Sequence, residues 1–300
     1  MERAIALLGF SRIGNKISLR HVGWLIVVLK LFITCYFVYL LVQGFRDNAF
    51  SFDINFFWFI VAGFVAQLID GALGMAYGVS CTSLLLWFGI PARFASAAVH
   101  TSEIFTTGIS GLSHIRFDNI DKKLFFQIVI TGSIGAVLGA YFLSGVFDGN
   151  TIKPYISVYL LGLGVYLLFK ALKKQLQKDK PIKNASLLAF AGGLLDAIGG
   201  GGWGPIVTSN LLSQGKSPRQ AIGTVNTAEF FVTYFATSVF IFVLGVQHLD
   251  IVLGLIIGGV LAAPIGAYVA SRINQRLLLI VVAILVILSS GWGIYQFWFS

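Results

Sequence analysis

The sequence predicts an all-α polytopic membrane protein made of two inverted repeats, each a broken (re-entrant-like) helix hairpin plus three transmembrane helices, preceded by one extra N-terminal transmembrane helix. Three observations carry this. Of 300 residues, 57% are hydrophobic and 11% charged, with a mean hydropathy of +0.87. A water-facing shell normally needs about a quarter of its residues charged, so this chain cannot cover one. A shift of 126 residues lays 64–107 over 190–233 without a gap, and 17 of those 44 positions are identical. Finally, the basic residues sit in short connectors between apolar segments. The net charge of +9 therefore reads as a topology signal and not as a nucleic-acid footprint.

Residues 1–55 hold a basic, partly amphipathic segment (Arg3, Arg12, Lys16, Arg20) and a first helix near 24–43. No small-residue cleavage site follows that apolar run, so a signal anchor is expected. The first repeat spans 56–172 and the second 185–300, with a Lys-rich linker at 173–184. Full helices are expected near 94–115, 124–146 and 155–171, then near 221–246, 251–270 and 277–298. Two regions, 56–90 and 185–214, are apolar but interrupted at 70–78 and 196–205. Each flanking piece has about 12 to 16 residues, roughly 18–24 Å of helix against a hydrocarbon core of about 30 Å. Broken half-helices fit these lengths better than full spans.

With the amino terminus inside, connectors 1–21, 116–123, 170–184, 214–220 and 271–276 hold 17 of the 21 Lys and Arg residues, as the positive-inside rule requires. Each hairpin returns to the side it entered, and three spans follow it. Three is odd, so the halves start from opposite sides.

Irregular backbone at membrane depth survives only against protein or a wet cavity. The second break runs Asp196, Ala197, Ile198, Gly199, Gly200, Gly201, Gly202, Trp203, Gly204, Pro205, with Pro205 expected in a first helical turn. The first break keeps Asp70, Gly74, Tyr77 and Gly78 but lacks the glycine run and the proline. Amides at the start of the following helix, with its positive dipole end, suit an anion. The plainer reading is that the glycines only allow close packing, although packing motifs space small residues four apart and do not run them together. Ser80, Thr82, Ser83, Thr208, Ser209 and Asn210 follow the breaks and add donors, unless they bond back to their own helices.

The next helix of each half carries His100, Glu103 and Thr107, matched by Asn226, Glu229 and Thr233, each trio on one helical face. A carboxyl at the bilayer centre costs about 2.5–3.5 kcal/mol, so recurring acids suggest a lined pathway or a proton-accepting site. The alternative is a structural hydrogen bond from a protonated acid. His100 reads equally as a relay or a satisfied polar contact. Arg93 and Arg219 are anion collectors at the two mouths or anchors of helix ends. Lys30 is expected to snorkel to the surface. Cys35 and Cys81 lie far apart in apolar segments and indicate neither a disulfide nor a metal site.

Over about residues 56 to 298 these features resemble the sulfite exporter TauE/SafE family of membrane permeases. The paired glycine-rich break is the most specific element, best seen as Gly199, Gly200, Gly201 and Gly202 with Pro205. The recurrence at Gly74 and Gly78, and the stretches from Ala95 to Thr101 and Ala221 to Thr227, add to it. The resemblance implies transport of sulfur-containing anions such as sulfite or organosulfonates across the inner membrane of a bacterium or archaeon. The reading is a secondary transporter with its site at the midplane between the breaks. Substrate contacts are expected from Gly74, Tyr77, Gly78, Thr82, Ser83, Thr101, Gly200, Gly201, Gly202, Trp203, Gly204, Thr208, Ser209, Asn226 and Thr227. Four carboxyls would repel an anion unless some are protonated, so Glu103, Glu229, Asp70, Asp196 and His100 are expected to serve proton coupling, with Glu103 and Glu229 as the carriers within full spans and Asp70 and Asp196 as alternative caps of the half-helix ends. One alternative makes the same acids ligands of a transported metal or other cation. Another, an intramembrane aspartyl protease using Asp70 and Asp196, lacks the Gly-x-Gly-Asp motif. No enzyme activity, cofactor or resident metal is expected. The partners expected are a small anion and the lipid bilayer; homo-oligomerisation stays open.

Overall fold

The computed structural model describes residues 18–47, 54–73, 75–147, 149–172, 184–245, 248–270 and 275–299, and these are helical with no strand among them. The amino-terminal 1–17 and the linker residues 173–183 lie outside the described residues. Helix α1 spans Leu19–Arg46 and is capped by Ser18, whose hydroxyl accepts from the His21 amide. The first broken hairpin is α2 (Ile54–Leu73) and α3 (Tyr77–Trp87). It is followed by α4 (Ala92–Arg116), α5 (Lys122–Tyr141, continuing through a π turn at Phe142–Val146) and α6 (Gly149–Leu172). In the second half, α7 (Ala185–Gly199), a π turn at Gly204–Thr208 and α8 (Ser209–Ser213) form the hairpin, and α9 (Pro218–Leu244), α10 (Leu249–Ala270) and α11 (Gln275–Phe299) complete the chain.

Among the described residues, five helices are long and apolar enough to cross a membrane: α1, α5 with its π turn, α6, α9 and α11. This is a multi-pass membrane protein. Helix α4 has 25 residues yet falls outside that set, because His100, Thr101, Ser102, Glu103, Thr106 and Thr107 all lie on it and are buried. Its polar face turns into the bundle, where other helices and not lipid surround it. Helix α1 packs chiefly on α4 and leaves Trp24, Leu31, Phe32 and Tyr39 exposed, as lipid contact allows.

Adding 126 to the first residues of α4, α5 and α6 gives 218, 248 and 275, and α9, α10 and α11 begin at Pro218, Leu249 and Gln275. Packing follows the same correspondence. The main neighbour of α2 is α10, and the main neighbour of α7 is α5, so exchanging the halves preserves the pairing. Matched helices lie against one another in opposite directions. A Cβ on Gly108 would lie 3.3 Å from Phe230 and one on Gly111 3.3 Å from Thr227, so α4 and α9 are antiparallel. Gly164 against Ile287 and Gly293 against Ser157 make α6 and α11 antiparallel in the same way.

Glycine brings these backbones together. A Cβ on Gly135 would overlap the Phe190 carbonyl, one on Gly193 the Gly132 carbonyl, and one on Gly258 the Ile60 carbonyl. At one end of the bundle Arg219 donates to Asn119 and to the Phe117 carbonyl at 2.6 Å. It satisfies the end of α4, the anchoring role. Lys30 does not snorkel: its ammonium donates to the Phe105 carbonyl at 3.3 Å and its stem packs on Gly108. The missing side chain at Gly108 opens room for the stem against α4.

Two outcomes are expected. Gly135→Val should abolish folded yield in detergent, since overpacking against backbone exceeds the usual 1–3 kcal/mol. Gly162→Ala, with open space around its Cβ, should keep or gain up to about 1 kcal/mol by helix propensity. Size-exclusion profiles and thermal unfolding check both. Asp121 caps α5 and pairs with Lys216. Burial alone would raise its carboxyl, but the Lys216 ammonium and the Leu124 amide outweigh this and hold it below its usual range. Its contribution to stability is therefore present above a pH of about 4 and lost as pH falls through the depressed value. Asp121→Asn should flatten that acid dependence in unfolding scans from pH 2 to 6.

Candidate functional site

Each short helix that follows a break needs partners for its first amides, which no helical carbonyl reaches. The aspartate seven residues upstream supplies one. Asp196 Oδ1 accepts from the Trp203 amide at 2.9 Å, and Asp70 Oδ1 from the Tyr77 amide at 3.4 Å. Carboxylates here also meet the positive dipole end. Both aspartates thus hold their own hairpins shut, in addition to any role toward a ligand.

The two tips cross in contact. A Cβ on Gly201 would overlap the Val79 amide, and one on Gly78 would lie 3.0 Å from the Gly200 carbonyl and 3.2 Å from Glu103 Oε1. One on Gly204 would lie 2.8 Å from Met75 Cβ. Thr82 donates to the Gly200 carbonyl across the crossing. Gly200 ends α7 with φ +66°, a left-handed conformation that also calls for glycine. The glycines therefore do serve close packing, but of break against break. Gly74 lies outside the described residues. Gly202 faces Tyr159, whose hydroxyl donates to the Gly201 carbonyl at 3.1 Å. Trp203 is fully buried with its indole N–H on the Val225 carbonyl at 3.3 Å. Tyr77 shares a 3.1 Å hydrogen bond with Ser102.

Beside the crossing, His100 Nε2 lies 3.1 Å from Asp196 Oδ2. Ligand atoms of His100, Glu103 and Asp196 all fall within 4.8 Å of one another, and all three residues are buried. The imidazole and two carboxylates form a donor set that fits a proton or a borderline divalent cation. Glu229, on α9, acts electrostatically on Glu103, and so do Asp70 and Asp196. Ser83 and Thr208 hydroxyls and Asn226 Oδ1 are buried without a partner among the described residues, and Asn226 Nδ2 donates to Ser110 at 3.3 Å.

The two threonines Thr101 and Thr227 stand apart from the breaks. Thr101 bonds the Ala97 carbonyl and lines an apolar crevice with Ile33, Phe37 and Phe240 beneath α1. Thr227 bonds the Gly223 carbonyl and packs on Gly111. Thr107 and Thr233 also bond back to their own helices. Three residues escaped the sequence reading: Tyr159, Ser96 and Lys170. Lys170 donates to Ser209 at 2.5 Å, although it counts in sequence as a connector lysine. The repeat positions of Tyr159 and Ser96 hold Leu285 and Ile222, so matching the halves could not select them.

A family model described as Sulfite exporter TauE/SafE matches residues 59–292. The chain belongs to this family. The TauE/SafE match starts beyond α1 and runs from the first hairpin into α11. Among relatives, the "Probable membrane transporter protein YtnM" of Bacillus subtilis (strain 168) is 46% identical over 251 residues, covering 81% of this chain and 83% of the relative. The "Probable membrane transporter protein YunE" of the same organism is 22% identical over 278 residues, 82% of this chain and 100% of the relative. No solved structure matches. Both relatives are named probable membrane transporters.

Asp196→Ala should lower stability by about 1–3 kcal/mol, because it strands the buried Trp203 amide and His100. Asp70→Ala, which removes one longer bond, should cost less. Thermal unfolding of the two purified variants under one condition checks the order.

Proposed function

We propose that the chain is a proton-linked secondary transporter of a small sulfur-containing anion, such as sulfite or an organosulfonate. Its substrate path runs past the crossing of the two breaks. The observation that carries this reading is that crossing: two interrupted helices touch at Gly78 and Gly201 beside buried Asp196, His100 and Glu103. In this reading the halves are inverted across the cytoplasmic membrane with the amino terminus inside. The antiparallel packing of α4 on α9 and α6 on α11 supports inversion, and the distribution of Lys and Arg supports the orientation.

The anion is received by hydroxyls beside the crossing that have no partner among the described residues, those of Ser83 and Thr208, with the Lys170 ammonium at Ser209 supplying positive charge. A monovalent anion leaving an inside-negative cell gains about 2.3 kcal/mol per 100 mV. Export thus needs no coupling ion, and a proton taken up by the acids removes the repulsion that their carboxylates would exert on the anion. The family description supports the sulfur anion. A second reading, transport of a divalent cation, is favoured by the His100, Glu103 and Asp196 donor set.

Proteoliposomes loaded with sulfite or sulfoacetate test the proposal. Flux should exceed that of empty vesicles, and the double variant Glu103→Gln with Glu229→Gln should lose at least tenfold of its pH-stimulated rate. Unchanged, pH-independent flux in that variant would remove these acids from coupling. Transport of a divalent metal with no sulfur anion moved would favour the second reading.

A further inference from the structure

The two arginines that match across the repeats meet different surroundings. Arg219, in the first turn of α9, finds its acceptors at the end of α4, in the Asn119 side chain and the Phe117 carbonyl. Arg93 holds the equivalent place in the first turn of α4, at the opposite end of the bundle. The 126-residue shift carries Asn119 to Gly245, which has no side chain to accept from it. Arg93 Nε is accordingly buried without a hydrogen-bond partner, and no carboxylate ion-pairs with the guanidinium among the described residues. What it does meet is the Phe94 ring, whose centroid lies 5.0 Å from the guanidinium carbon. The exposed His248 ring stands edge-on to the same phenylalanine at 4.9 Å.

Phe94 is also a wall of the apolar crevice beneath α1. That crevice lies between Ile33 and Phe37 of α1, Phe94 and Ala98 of α4, and Phe240 and Gly245 at the end of α9. A Cβ on Gly245 would meet open space, so the residue that denies Arg93 an acceptor also leaves the mouth of the crevice open. Among the lining side chains only the Tyr36 phenol and the Thr101 hydroxyl are polar, and Thr101 donates to the Ala97 carbonyl of its own helix. A small anion has almost nothing to bond along such walls, whereas a hydrocarbon chain is in contact throughout. A cation at the mouth with apolar walls below it selects a ligand that has an anionic head and an apolar tail.

We infer that this crevice is a phospholipid site, in which one acyl chain lies between α1 and α4 and an anionic headgroup phosphate takes the Arg93 guanidinium. A guanidinium offers a phosphate paired N–H donors, and a basic group at the mouth of a pocket between membrane helices suits an anionic headgroup. The His248 ring adds an N–H at the same mouth. The lipid has a structural use. Helix α1 lies outside both repeats and packs chiefly on α4, so a chain held between them ties the added helix to the core. At its deep end the crevice meets Phe240, whose ring is 5.8 Å from that of His100, so the acyl chain ends one side chain away from the buried acids. In the orientation proposed above this end of the bundle faces outward and the lipid comes from the outer leaflet; the site itself stands without that assignment.

The test titrates full-length protein, stripped of lipid in detergent, with phosphatidylglycerol, with phosphatidylcholine of the same chains and with inorganic phosphate, read by native mass spectrometry and thermal unfolding. The expected result is one phosphatidylglycerol per chain, held about tenfold more tightly than phosphatidylcholine and raising the unfolding temperature, with no stabilisation by inorganic phosphate. Arg93→Gln should bind the two lipids alike. Gly245→Asn should weaken the preference as well, because asparagine tolerates the φ of +68° and supplies the acceptor that Asn119 gives Arg219. A phosphatidylglycerol with a photoreactive acyl tail should label α1, α4 or the end of α9 along the crevice. Equal binding of both lipids by the wild type, a full preference kept in either variant, stabilisation by phosphate alone, or labelling confined to other helices would overturn the site. Should a variant fail to fold, the wild type's lipid preference and tail labelling still decide it. Every readout is independent of transport, so a protein that moves no anion fails the proposed function and leaves this test intact.

Discussion

Backbone meets backbone where the two chain breaks cross, and the rest of the molecule is arranged around that contact. No side chain larger than hydrogen fits at Gly201, and little room exists at Gly78 or Gly204. Interrupting a helix inside a bilayer exposes amides and carbonyls that lipid cannot satisfy. The crossing answers part of this directly, through Thr82 on the Gly200 carbonyl and Tyr159 on the Gly201 carbonyl. Asp70 and Asp196 answer another part by taking the first amide of each returning helix. The acids that look like transport machinery in the sequence are thus also what lets the breaks exist.

Placing carboxylates there creates an electrostatic demand. Asp196 and Glu103 are buried together, and full ionisation of the cluster would concentrate negative charge away from water. Protons, a cation or a transported ion must compensate. The two halves answer differently, because His100 faces Asp196 whereas Asn226 turns to Ser110. The duplicated scaffold thus carries one distinctive pair and leaves the equivalent position for other contacts.

Much of the architecture was legible in the sequence because lipid imposes strong constraints on it. Apolar runs marked helices that appear within a few residues of their expected bounds, and the 126-residue register placed the starts of α9, α10 and α11. The acids in register pointed to the cluster. Side-chain direction was not legible: Thr101 and Thr227, expected among the substrate contacts, each bond their own helix and pack away from the breaks. Lys30 and Lys170 show the limit of counting charges, since long stems carry both ammonium groups to partners within the bundle. Tyr159 and Ser96 have no counterpart in the other half, so a comparison of repeats passes over them.

In the proposed transport cycle an anion passing the crossing moves with a proton. This coupling is tested most directly by recording organosulfonate flux and internal pH together in one proteoliposome preparation with the membrane potential clamped at zero. A sulfonate stays ionised throughout the working range, so any pH change reports coupled protons and not the titration of the substrate. Coupled movement should give a pH change that begins with the flux, scales with it and disappears without protein. Sulfonate movement with no pH change would contradict it.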